Sequence, residues 1–104
     1  MTVEDYILQK FQTFGISLSE ADLFDMCLNA AVSGEDEMAL DFYGRVNVAI
    51  AKFIPALLLH ATSISESGFS MSWDIKGIKD YYSWLCKQYG LKDELTDKPK
   101  VTFL

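Results

Sequence analysis

Apolar residues recur along this chain at intervals of three and four, a spacing that predicts a succession of helices. The first runs from Thr2 to about Phe14, with Val3, Tyr6, Ile7, Phe11 and Phe14 on one stripe. Thr2 and Asp5 make a capping box at its start, and Glu4 and Asp5 suit the positive end of the helix dipole. Gly15 is placed to stop it, with Ile16 folding back as the apolar contact beyond. Ser17 or Ser19 caps a second helix, with Glu20 and Asp22 in its first turn. Leu23, Phe24, Cys27, Leu28 and Ala31 form its inner face, and Ser33-Gly34 ends it. The third helix, about Asp41 to His60, carries Val46, Ala49, Ile50, Phe53, Ile54, Leu57 and Leu58 and is expected to be the most buried. Pro55 predicts a kink or a break there, because proline lacks a donor and crowds the carbonyl four residues back. The fourth begins at a cap on Asp74 and ends at Gly90-Leu91, with Ile78, Tyr81, Tyr82, Leu85, Cys86 and Tyr89 as its stripe.

Between the third and fourth helices the period changes. Ser63 to Asp74 reads Ser-Ile-Ser-Glu-Ser-Gly-Phe-Ser-Met-Ser-Trp-Asp, an alternation of period two. Ile64 holds an even position and Phe69, Met71 and Trp73 hold odd ones, so parity switches across Ser67-Gly68. A tight turn between two short strands produces that switch, which predicts a β-hairpin over about 63–73. A lone hairpin is marginal in water, so it must pack on the helices or pair with a neighbouring chain. The expected fold is mainly α: about four helices in a small bundle, with one β-hairpin between the third and fourth. It forms a single domain over 1–104 with a C-terminal arm at 92–104, where Val101 and Phe103 alternate with Lys100 and Thr102.

Composition supports one packed core, since 50% of the 104 residues are apolar and 13% aromatic. The net charge of −6 and the scatter of nine basic residues argue against nucleic-acid binding, which needs clustered Lys and Arg. No signal peptide is expected from Met1-Thr2-Val3-Glu4-Asp5, and the apolar window Val46 to Ala61 is short for a bilayer, so no membrane partner is expected.

Residues that could carry chemistry have plainer roles. His60 is the only histidine and lies in no metal-ligand spacing; near a helix end it suits the last carbonyls. Cys27 and Cys86 are far apart within apolar patterns and read as small hydrophobes. The run Glu35, Asp36, Glu37 lacks the glycine and alternation of a calcium loop, and the isolated glycines make no phosphate loop. No enzyme activity, metal or cofactor is expected. The hairpin is then the candidate partner-binding element. Phe69, Met71 and Trp73 cover the helices, while Ser65, Ser70, Ser72 and the strand's free backbone edge are available to a neighbour.

A long apolar helix leading into Thr-Ser-Ile-Ser-Glu-Ser-Gly, then Phe-Ser-Met-Ser-Trp and a Tyr-rich helix, resembles the head-to-tail connector (head-completion) proteins of tailed phages and prophages. Ser63, Ser65, Glu66, Gly68, Ser70 and Ser72 match the serine-rich segment that many members carry after the main helix. The likeness covers most of the layout. The long acidic-to-basic helical pattern with which many connectors open is not matched here, and the tail from Lys92 has no counterpart in them. It implies a structural virion protein joining portal to tail as a homo-oligomeric ring around the DNA channel. Partners would be itself and the portal and tail proteins, in the virion or, for a prophage, the bacterial cytoplasm. Glu35, Asp36 and Glu37 would then be candidate channel-facing acids. The alternative is a small helical adaptor or regulatory module that binds a protein partner through an apolar groove.

Overall fold

The computed structural model describes residues 1–64 and 73–95. They form four helices: α1 (Val3–Gln12), α2 (Glu20–Ala30), α3 (Leu40–Ile64) and α4 (Ile75–Tyr89). The mainly α expectation holds. The starts of α1 and α2 follow from local chemistry. Thr2 Oγ1 accepts the Asp5 N–H at 3.1 Å, and the Asp5 carboxylate accepts the Thr2 N–H at 3.5 Å. Ser19, not Ser17, caps α2, through the same reciprocal pair with Asp22. At α4 the Asp74 carboxylate accepts the Gly77 N–H at 2.9 Å.

Three helices end alike. The Ile16, Val32 and Leu91 amides each donate to the carbonyl five residues back, on Phe11, Cys27 and Cys86. This is the Schellman arrangement, which needs a left-handed residue just before the apolar one. Gly15 and Gly90 supply it at α1 and α4, with φ of 75° and 68°. At α2 the position falls on Ala31, with φ of 61°, so this helix stops two residues before the expected Ser33 and without glycine.

α3 is the central element. Val46, Ala49, Ile50, Ala51, Ile54, Leu57 and Leu58 are buried on it, against Ile7 and Phe11 of α1, Met26 of α2, and Ile78 and Leu85 of α4. Phe11 and Phe53 meet edge to face with centroids 5.9 Å apart. Pro55 does not break the helix, which continues to Ile64. Leu40–Leu59 is also long and apolar enough to cross a membrane by length and composition, a longer stretch than the window first read. Its buried residues serve the core.

The expected hairpin needs correction at its start. Ser63 and Ile64 belong to α3. Ile64 follows Ile54, Leu57 and Ala61 at intervals of three and four, so the helical register ran through the residue taken to open a strand. Residues 65–72, with Ser65, Phe69, Ser70, Met71 and Ser72, lie outside the described residues. Trp73 sits in a bend, partly buried against the core. No strand occurs among the described residues; Thr2 and Glu37 form an isolated antiparallel bridge.

The first residues of the expected C-terminal arm bond to α4. Glu94 donates its N–H to the Tyr82 hydroxyl at 2.9 Å, and Ser83 Oγ donates to Asp93 at 3.1 Å. Residues 92–95 are thereby fastened to α4, and the alternation around Val101 and Phe103 lies outside the described residues.

Candidate functional site

The outer face of α2 breaks the apolar-in, polar-out rule with two large side chains on one ridge. Capping at Ser19 sets the phase of the helix, and the 3.6-residue period then turns Leu23, Met26, Cys27 and Ala30 inward. Phe24 and Leu28, four residues apart on one ridge, remain 63% and 60% exposed. Both were expected inside; the buried face is instead rotated to take in Met26 and Ala30. The α2 pattern is apolar at Leu23, Phe24, Met26, Cys27, Leu28, Ala30 and Ala31, and so wide a stripe does not identify its own inner edge.

Beside this ridge lies a groove of about 500 Å³, with Leu23, Cys27 and Val32 among its lining residues and Glu4, Glu20 and Glu35 at its sides. The loop after α2 shapes one wall. Ser33 donates its N–H to the Asp36 carboxylate at 2.9 Å, and Asp36 returns its N–H to the Ser33 carbonyl at 3.0 Å. The Gly34 and Asp36 carbonyls then accept the amides of Glu4 and Val3, at 3.0 and 2.8 Å. A Cβ at Gly34 would make ordinary contacts, 3.4 Å from the Glu4 Cβ and 3.7 Å from the Cys27 sulfur. The three acids singled out in the sequence therefore separate. Glu35 lines the groove, Asp36 closes the turn, and Glu37 pairs with the Met1 amino group at 2.6 Å.

The chemistry available in this groove is recognition. Burial pushes the Cys27 thiol up, and the nearby charges of Glu4 and Asp36 push it further, which suppresses the thiolate a nucleophile requires. Cys86 is raised chiefly by burial as well, and both cysteines are free and buried. Among the described residues no group of three His, Cys, Asp or Glu side chains could hold a metal ion. The side chain of His60 lies outside the described residues.

A second cluster escaped the sequence reading. Asn47, 2% exposed within α3, donates to the Tyr6 hydroxyl at 3.1 Å and to the Tyr43 carbonyl at 2.9 Å. The Tyr81 hydroxyl donates to Asn47 Oδ1 at 3.5 Å, so one buried amide joins α1, α3 and α4. Lys10 places its ammonium 5.5 and 5.6 Å from the Tyr6 and Tyr81 rings. Burial pushes both phenols above their ordinary value. These polar groups bond to one another, which makes the cluster a fastening. Its signal was a lone Asn among the apolar positions of the central helix, and such a residue must find partners. A further groove of about 400 Å³ lies between Pro55 of α3 and Tyr82 of α4, with Lys52, Lys92 and Glu94 at its sides. The Tyr82 phenol there is pushed up by burial to about 12.

Residues 1–103 match the model of a family of unknown function, DUF6706. The chain belongs to that family. The DUF6706 match takes in the four helices, the segment between α3 and α4, and the residues after Leu95 up to Phe103. Neither a curated protein nor a solved structure matches the chain.

Proposed function

We propose that this chain is a structural virion protein of the phage or prophage head-to-tail connector type, joining capsid portal to tail as a ring around the DNA channel. The observation that carries the reading is the bare apolar ridge of Phe24 and Leu28 beside an acid-flanked groove. Exposed large apolar groups next to a concave surface mark a protein–protein contact. The serine-rich segment after α3 supplies the likeness to connectors. In this reading residues 69–72 pair by their backbone edge with a neighbour, while Trp73 holds their end against the core. The net charge of −6 suits a protein past which DNA must slide without adhering.

Native mass spectrometry across a concentration series, with and without the portal protein, tests the assignment. The expected result is a closed species of many identical subunits. A monomer that stays monomeric when the portal is added would overturn it. The same groove supports a second reading, a helical adaptor that takes an apolar segment of another protein. That reading predicts a monomer or dimer with one-to-one binding and no closed ring.

A further inference from the structure

We propose that the α2 groove receives the C-terminal segment, Lys98 to Leu104, of a second copy of this chain. The inference names the partner for the surface on which the ring reading rests.

Charge complementarity selects the occupant. The groove pairs an apolar lining, Leu23, Cys27 and Val32, and the Phe24–Leu28 ridge with carboxylates on Glu4, Glu20 and Glu35. The segment reads Lys98-Pro99-Lys100-Val101-Thr102-Phe103-Leu104, cations first and alternating apolar residues after. Val101 and Phe103 share one side of an extended chain and can seat between Phe24 and Leu28, while Lys98 and Lys100 meet the carboxylates. Pro99 has no amide hydrogen and favours an extended residue before it, which suits a laid-in strand-like segment over a helix. The groove between Pro55 and Tyr82 is the poorer fit, because Lys52 and Lys92 outweigh Glu94 there and would repel the same two lysines.

A contact that builds a ring joins one copy to the next, so the segment is assigned to the groove of a second copy. Residues 92–95 are held on α4 through Tyr82 and Ser83. The groove opens instead between α2, the start of α1 and the loop at Ser33–Glu35, and α2 and α4 each pack on α3. Nine extended residues reach about 30 Å at most, which sets how close the two copies must lie. A tail on one surface and its groove on another is a heterologous contact, the kind that propagates and closes into a ring when the rotation allows.

The test places a photo-crosslinking amino acid at Phe103 in the full chain and mixes isotopically light and heavy protein. The expected products join residue 103 of one isotope to α2 peptides of the other. Glu20→Gln with Glu35→Gln should weaken self-association roughly two- to thirty-fold, from two surface pairs. Crosslinks confined to single copies, crosslinks to other surfaces, or none at all would each overturn the proposal. The ring reading fails separately. Heavy–light crosslinks at α2 in a species that closes as a dimer would uphold this contact and reject the ring. A ring whose crosslinks lie elsewhere would do the reverse.

Discussion

α2 and α4 both pack on α3, yet they present different outer faces. α4 buries Ile78, Tyr82, Leu85 and Cys86, turns Lys76, Lys79, Asp80 and Lys87 outward, and leaves a single large apolar side chain half exposed, Trp84, stacked on Tyr81. α2 buries Leu23, Met26, Cys27 and Ala30 but leaves Phe24 and Leu28 in solvent. A helix needs one apolar stripe to join a core; a second stripe serves something the subunit does not contain. The difference therefore separates residues that hold this fold from residues available to a partner, and substitutions can test the division.

The largest effect should come from the inner face. Met26→Ala removes a fully buried side chain from the α2–α3 contact and should cost about 2–5 kcal/mol in urea unfolding. Phe24→Ala, two residues away, should change the monomer by less than about 0.5 kcal/mol. Equal losses at the two positions would erase the distinction between the faces.

Next comes the fastening of α4 itself. Asn47→Leu keeps the volume but strands the Tyr6 and Tyr81 hydroxyls, at roughly 1–3 kcal/mol. Adding Tyr81→Phe should cost less in that background than alone, because one partner of the lost bond is already gone. Simple additivity in the four unfolding energies would show that Tyr81 does not depend on Asn47.

How far the sequence could be read follows from the same contrast. The α4 stripe was legible because, Trp84 apart, polar residues flank it and leave one candidate for the inner side. The capping pairs at Thr2 and Ser19 were legible because their bonds are local. The buried face of α2 was not, since apolar residues nearly encircle that helix and only packing on α3 selects Met26 and Ala30 over Phe24 and Leu28. The groove was illegible for a further reason: Glu4 and Glu35 are brought together by backbone bonds between distant segments. At Ser63-Ile64, alternating serines suggested a strand where the α3 register in fact continues.

The helix ends offer a smaller and paired test. Gly90 has φ of 68° and no heavy atom within 4 Å of where a Cβ would sit, so Gly90→Ala adds conformational strain without a clash. It should destabilise by about 1 kcal/mol. Ala31 holds the same left-handed position at α2, and Ala31→Gly should stabilise by up to about 1 kcal/mol. Thermal unfolding of both variants checks the pair; a loss at both would mean that Ala31 contributes packing that outweighs its strain.

The smallest effect on stability should accompany the largest effect on assembly. Phe24→Ser with Leu28→Ser removes the outer ridge of α2 while leaving its capping box and inner face untouched. The unfolding free energy should move by less than about 0.5 kcal/mol per site, because both side chains are mostly in water in the single subunit. Self-association should nevertheless fall sharply, since exposed apolar anchors of this kind carry most of the energy at a contact. Sedimentation velocity beside urea unfolding, on the same preparations, reads both quantities. A variant that unfolds normally and still assembles would remove α2 from the interface and leave the segment between α3 and α4 to carry it. A variant that loses several kcal/mol would instead place Phe24 and Leu28 among the residues that hold the fold, and the contrast with α4 would vanish.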